Sequence, residues 1–512
     1  MSVLICDFMG DKTLTNIAEN ICKQKPNLFS HHISHTLPAK KSHLSNLQFI
    51  DATLLYRLEN LEKAFPDISP KPISFPESRN LKECLELFIL AQDRMCPKPP
   101  SSHYNLKFFY DLCGYFNAFF LKNKNIDTII IDNTPHMSWD ICMFYIAKKL
   151  NIRTLFLRKT GISGLLYIDE DFRPNFQNWN FSYKSISNPV TADKKNNDSL
   201  IKYISDNSFT KDQIGGAWPK LKKESLLRKF INLLKFLGLN EVVHLVRIFI
   251  KKIPNNNPGA TYYSKQITTY AGISNVSRIN HFLIHRNYIR KQKQYIKYYN
   301  DISKSLKFFG GIDYIYFPLH LQPERTTLPE GMIFNDQVLA IRLLSEAIPE
   351  NWKIIIKEHP KQHLYDLRGI NSRDRIDYKR ISNINKVLIV PVAENHFELI
   401  RKSKMTATIS GSVSWEGLIE GKPSLTFSRV WHSQCKSTKY VDSVKNIKSS
   451  IAHLSVKNKQ EILEDVCNFI YKTSRFYIHG GLNQNHIKMF FNGNENISNE
   501  NISKALLERI YS

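Results

Sequence analysis

Short apolar runs rich in β-branched and aromatic residues alternate with helical patterns along the chain, and the turns that follow the runs are polar. In the second half, Tyr314 to Phe317, Trp352 to Ile356 and Thr406 to Ile409 read as strands. Between the first two, Ala340, Ile341, Leu344 and Ile348 fall at i, i+1, i+4 and i+8, one face of a helix. Strand, loop, helix, strand is a βαβ unit, and in open parallel sheets ligands bind beyond the carboxyl ends of the strands. The first half carries a unit of its own: a strand from Asp127 to Ile131, a loop Asp132-Asn133-Thr134-Pro135-His136, a helix from Ser138 to Leu150 and a strand from Arg153 to Leu157. Ser2 to Cys6 predicts a further strand. Helical patterns run from Glu83 to Met95 and from Tyr104 to Lys122, separated by Pro97, Pro99 and Pro100.

Three loops follow the strands of the second half and therefore share one sheet edge. They are Phe317-Pro318-Leu319-His320-Leu321-Gln322-Pro323-Glu324, Lys357-Glu358-His359-Pro360 and Ser410-Gly411-Ser412-Val413-Ser414-Trp415-Glu416. Over about 110 residues these motifs resemble the carboxyl-terminal domain of bacterial capsule-biosynthesis glycosyltransferases of GT-B fold, the group that includes the Kdo transferases. The His359-Pro360 pair and the serine turn are also similar to the elements with which bacterial sialyltransferases hold the CMP of a CMP-sugar. The resemblance implies an α/β fold of two Rossmann-like domains facing a cleft, a nucleotide-sugar donor, a glycan or glycolipid acceptor, and no cofactor or obligatory metal.

Within that resemblance each motif has a chemical reading. His359 follows a strand and precedes a proline that stops re-entry into regular structure, so its ring can be aimed at a phosphate, with Lys357 beside it. Ser410, Gly411 and Ser412 offer hydroxyls and amides at the head of a helix from Val413 to Glu420 that Gly421 stops. Glu416, one turn in, is placed for ribose hydroxyls; an ordinary capped helix would show the same pattern. Glu324 sits beside Gln322 and before Arg325, Thr326 and Thr327, which are placed to bind the donor or its carboxylate. As a nucleophile on the anomeric carbon Glu324 gives retention, and as a base toward the acceptor hydroxyl it gives inversion. The related Kdo transferases have Asp at the corresponding position, and the resemblance implies the nucleophile's role here. Pairing with Arg325 is the structural alternative. In the first domain, Asp132, His136 and Asp140 are candidates for groups presented across the cleft, against a reading in which Asp132 and Asn133 only cap the next helix. Asn395 and Glu398 form a capping-box variant with no chemistry assigned.

Composition adds bounds. The chain has 512 residues, enough for two or three domains, with 42% hydrophobic and 23% charged residues as in ordinary globular proteins. The net charge of +25 asks for a polyanionic neighbour: a membrane surface, a nucleic acid or an acidic glycan. Nucleic acid is disfavoured, because the aromatic residues do not interleave with the basic ones in a recognisable module. Residues 220–252 hold nine Lys or Arg against two acids, threaded with Leu226, Leu227, Phe230, Leu234 and Leu237, which reads as a helix lying on an anionic membrane surface or as a core-facing helix with a basic back. A second basic, Tyr-rich helical stretch runs from Arg286 to Tyr299, and 186–212 reads as a connecting loop.

The eight cysteines are scattered without CxxC, consistent with reduced thiols. No leader pattern and no apolar run near the roughly 20 residues of a membrane span is evident. A cytoplasmic protein, peripheral at the inner face of the plasma membrane, is expected. His31, His32, His35 and His43 are expected in an exposed polar loop rather than around a metal. Asp169-Glu170-Asp171 matches a DxD pattern, which a loop with three acids also produces. The expected division is 1–200 for the acceptor domain, 201–304 for a basic helical insertion, 305–480 for the nucleotide-sugar domain and 481–512 for a tail or helix packing back.

Overall fold

The computed structural model describes residues 2–7, 13–35, 43–95, 101–173, 278–363, 373–482 and 493–512, with a few isolated positions besides. Its first sheet is built from β1 (Ser2–Asp7), β2 (Phe29–Ser34), β3 (Gln48–Asp51), β4 (Ile126–Ile131), β5 (Arg153–Lys159) and β6 (Leu165–Asp169). Helices α1 (Thr13–Gln24), α2 (Lys82–Met95), α3 (Ser102–Lys122) and α4 (Ser138–Lys149) cover it. The strand order β3-β2-β1-β4-β5 is all parallel, and β6 runs antiparallel beside β5. Every residue of β1 is buried because helices lie on both faces. Leu4 and Cys6 enter the core under α2, α3 and α4, whereas Val3 and Ile5 enter the core under α1, as the two-residue period of a strand requires.

Helix α5 (Arg278–Ile302) leads to the second sheet and sends Tyr295 and Tyr299 into its core. That sheet comprises β7 (Tyr314–Pro318), β8 (Lys353–Lys357), β9 (Val387–Val390), β10 (Met405–Thr408), β11 (Ser424–Thr426) and β12 (Thr438–Tyr440). All are parallel, in the order β9-β8-β7-β10-β11-β12. Its crossovers are α6 (Gln337–Ala347), α7 (Arg375–Ser382), α8 (His396–Lys402) and α9 (Val413–Ile419), followed by α10 (Val444–Leu454) and α11 (Lys459–Thr473). The chain then returns to the first sheet: β13 (Ile478–His479) pairs antiparallel with β6, and α12 (Glu495–Tyr511) packs Ile502, Leu506 and Ile510 in one core with Ile17 and Ile21 of α1.

The carboxyl edges of the two sheets face each other, which is the GT-B arrangement. Thr134, just past β4, donates to Glu330 of the second domain at 2.7 Å, and Arg325 reaches Asn133 at 2.5 Å. An apolar seam joins Ile162, Leu165 and Tyr167 to Trp415, Leu418 and Trp431. Gly161 permits that approach, since a Cβ there would lie 2.7 Å from Trp415 Cδ1. Residues 220–252 lie outside the described residues. Among the described residues, no helix is long and apolar enough to cross a membrane.

The histidine-rich stretch departs from expectation. Rather than an exposed loop, His31 and His32 stand on β2, buried between β1 and β3. A strand covered on both faces shows no polar alternation, and its histidines disguised it. His31 bonds Gln48 and Ser30, while neither ring nitrogen of His32 has a partner among the described residues. Burial lowers the pKa of His32 to about 4 and that of His432, also unpartnered, to about 3. In the unfolded chain both sit near 6.5, so stability is complete above that pH and is lost as pH falls toward 4, where only the unfolded chain takes up the protons. Thermal melts between pH 7 and 4.5 should show this loss, and His32→Leu should reduce its slope by up to about 1.4 kcal/mol per pH unit. An unchanged slope in the variant would contradict the assignment.

Candidate functional site

Each sheet has one place where strand order reverses, and a ligand crevice forms there because the flanking loops diverge. In the second sheet this point lies between β7 and β10, in the first between β1 and β4. The loops after β7, β8 and β10 are the three singled out by sequence, and the loop after β4 carries Asp132 and His136.

Beyond β8 the backbone is held by Glu358. This carboxylate is fully buried, pairs with Arg373 Nε at 3.0 Å and accepts from Tyr378 Oη at 2.6 Å and from the His359 amide at 2.7 Å. Tyr299 from α5 accepts the Glu358 amide at 2.9 Å, and Arg373 also donates to the His320 carbonyl at 3.1 Å. Burial raises the Glu358 pKa, and the Arg373 charge pulls it back down. With Glu358 tied inward, its neighbours Lys357 and His359 are directed away from it.

Lys357 is buried, and its ammonium makes no hydrogen bond or ion pair among the described residues. Burial lowers its pKa, opposed by the Glu358 and Glu394 charges. His359 is half-buried, and its Nδ1 accepts the Lys361 amide at 3.2 Å, so the neutral ring carries its proton on Nε2 and can donate. Its pKa is lowered to about 4 by burial and then by Lys361, Lys357, His396 and Arg373. Cationic groups gathered round a donor histidine make a seat for an anion. Pro360 is exposed and opens a short 3-10 turn.

The serine loop closes beside it. Ser410 Oγ donates to the Thr326 carbonyl at 2.7 Å and lies 3.4 Å from Glu330 Oε2. Gly411 passes so near His320 that a Cβ would come within 3.1 Å of its Cε1 and 2.7 Å of Thr408 Oγ1. Ser412 is exposed at the head of α9 and its hydroxyl makes no capping bond. Glu416, one turn further, is buried, and its Oε2 lies 2.6 Å from His396 Nε2; the other ring nitrogen of His396 lies 2.9 Å from Tyr316 Oη.

The loop after β7 is internally braced. His320 is buried with its amide on Gln337 and its Nε2 at 2.9 Å from Thr408 Oγ1; burial lowers its pKa to about 3. Gln322 is buried, taking Gln362 Oε1 on its amide and donating to Thr327 Oγ1 at 2.8 Å. Glu324 is half-buried, with Oε2 at 3.3 Å from Thr326 Oγ1. Arg325 turns to Asn133 in the first domain.

Across the cleft, Asp132 is buried at the end of β4. His136 is half-buried, and its Nδ1 donates to the Thr134 carbonyl at 2.7 Å, so the neutral ring carries its proton on Nδ1. The first turn of α4 is capped by Asp140, which accepts the amides of His136 and Met137. Glu330, which sequence reasoning did not single out, joins the domains: besides Thr134 and Ser410 it meets Arg158 at 3.2 Å. The acids at 169–171 are structural. Glu170 pairs with Arg153 and Arg509, Asp171 pairs with Lys148, and Asp169 is buried with its pKa raised to about 6 by desolvation. Away from this edge, Cys84, Cys113 and Cys142 bring their sulfurs within 4.8 Å of one another in the core of the first domain as free thiols.

No protein-family model matches the chain, and no curated protein does. Among solved structures it is similar to the UDP-GlcNAc 2-epimerase of Neisseria meningitidis bound to UDP-GlcNAc, at 13% identity over 99% of this chain and 100% of the other, with a TM-score of 0.25. It is similar to the corresponding epimerase of Methanocaldococcus jannaschii, at 11% identity over 92% and 100%, with a TM-score of 0.26. A third is KpsC of Thermosulfurimonas dismutans, a beta Kdo 2,4 transferase, at 12% identity over 67% and 86%, with a TM-score of 0.26. Superposition is poor in every case, so none of these likenesses assigns a reaction to this chain.

The buried pair beneath the site predicts a specific coupling. Arg373→Met strands the Glu358 charge and should cost about 3–5 kcal/mol, whereas Arg373→Met with Glu358→Gln should recover part of that loss. Urea unfolding of these two variants and of Glu358→Gln alone measures it, and strictly additive losses would contradict the pairing.

Proposed function

We propose that this chain is a glycosyltransferase that moves a CMP-activated ulosonic acid, such as Kdo or a nonulosonate, onto a bacterial surface polysaccharide or lipid-linked glycan. The observation that carries the reading is the anion seat after β8, where an unpaired buried Lys357 adjoins a His359 whose Nε2 hydrogen is free to donate. One ammonium and one imidazole N–H at a single position suit the lone phosphate of a CMP donor. They hold the charge that grows on the leaving group as the glycosidic bond breaks. The hydroxyl of Ser412 is the next donor, and Glu416 takes the ribose.

Glu324 stands on the same edge as the reacting carboxylate. It attacks the anomeric carbon in a double displacement, or it accepts the acceptor hydroxyl's proton in a single one. In the second case His136 Nε2, on the facing domain, is the competing base, with Asp132 near it. Gln322 and Arg325 shape the loop that presents Glu324: the first braces it from within, the second ties it to Asn133. The first domain receives the acceptor glycan, and the basic segment 220–252 holds the enzyme to an anionic membrane surface at the inner face of the plasma membrane, where lipid-linked acceptors lie.

Differential scanning fluorimetry against CMP, CDP, UMP, UDP and GDP, repeated with His359→Ala, tests the donor. CMP should raise the melting temperature, and the variant should lose the shift. Stabilisation by UDP or GDP alone would replace the donor with a hexose nucleotide, and stabilisation by CDP alone would favour transfer of a polyol phosphate. No shift with any nucleotide would overturn the transferase reading in favour of a non-catalytic assembly factor.

A further inference from the structure

Beside the anion seat, three side chains from three elements form a chain of hydrogen bonds that the reaction itself does not require. Tyr316 on β7 is completely buried, so its phenol proton must go to a partner, and the partner present is His396 Nδ1 at 2.9 Å. That fixes the neutral imidazole with its other proton on Nε2, which donates to Glu416 Oε2 at 2.6 Å. The direction of all three groups is thus set from the sheet outward. Glu416 is only 4% exposed, and its second oxygen, Oε1, takes no hydrogen bond among the described residues. A carboxylate pinned through one oxygen presents the other as a fixed acceptor. Glu416 lies in the first turn of α9, whose head is Ser412 of the serine loop, which puts the carboxylate and that loop's donors in one neighbourhood.

From this geometry we infer that His396 is a positioning residue that makes the site selective for ribonucleotides over 2′-deoxyribonucleotides. The inference rests on the nucleotide reading above. Oε1 of Glu416 accepts from the vicinal 2′- and 3′-hydroxyls, and a ligand without the 2′-hydroxyl leaves a nearly buried acceptor lone pair unmatched. Such a mismatch separates two ligands far better than an added or missing methylene does. Rotation of the carboxylate would relieve the mismatch, and the bond from His396 prevents it. His396→Phe keeps the ring and its packing against Tyr316 and Phe397 but removes the donor. His396→Gln places an amide N–H where Nε2 stands.

The test is isothermal titration of the full chain with CMP and with 2′-deoxy-CMP, or with the corresponding pair for whichever nucleotide binds. In the wild type, the ribonucleotide should bind on the order of tenfold or more tightly. His396→Phe should bring the ratio close to one, largely by weakening the ribonucleotide, and His396→Gln should restore it. A merely structural His396 would weaken both ligands equally, and an unchanged ratio in His396→Phe would overturn the inference while the donor site stands. If no ribonucleotide binds to the wild type, the donor reading fails first and this one with it.

Discussion

Glu358 and Arg373 are the interaction on which the geometry of the second domain's edge depends. A carboxylate with no exposed surface, held by a guanidinium, a tyrosine hydroxyl and its neighbour's amide, fixes the backbone where β8 ends. Isolated ions at that depth would each cost several kcal/mol, so the two charges can be there only together. Tyr299 and Tyr378 bring α5 and α7 to the same point. Arg373 also ties down the carbonyl of His320 in the loop after β7. One buried pair therefore sets two of the three loops, and Lys357 and His359 are directed away from the pair because Glu358 is held by it.

Facing the two sheets edge to edge gives these loops a counterpart. Parallel strands end at the same edge, so the switch point of each sheet opens toward the other, and Glu330 with Arg325 connects the two sides through Thr134, Arg158 and Asn133. The two histidines across this cleft differ in tautomer. In the neutral rings His136 carries its proton on Nδ1 and His359 on Nε2, each set by a backbone group.

Much of this was legible in the chain because local pattern governs it. Strands β4, β5, β7, β8 and β10 and helices α2, α3, α4, α6 and α9 follow from runs and periods within about a dozen residues, and the loops after them locate the edge. What escaped depends on partners remote in sequence. Glu358 reads as a polar residue in a loop until Arg373 is brought beneath it. His396 reads as a residue after the Asn395 cap, and only the crossover to α9 sets it on Glu416. Strand β2 was hidden by its own histidines, and β13 is too short to signal that the chain returns to the first sheet. The acids at 169–171 matched a motif but were drawn into ion pairs with residues as distant as Arg509.

The most direct test of the account is turnover at this edge. Purified protein, given an extract of membrane glycolipid as acceptor, is incubated separately with a CMP-activated ulosonic acid, a UDP-hexose and a GDP-hexose, and nucleotide release and glycan mass are followed. Release of CMP matched by one added sugar, and lowered about 10²- to 10⁴-fold by Glu324→Gln, is the predicted result. No transfer from any donor, or transfer untouched by Glu324→Gln, would contradict it.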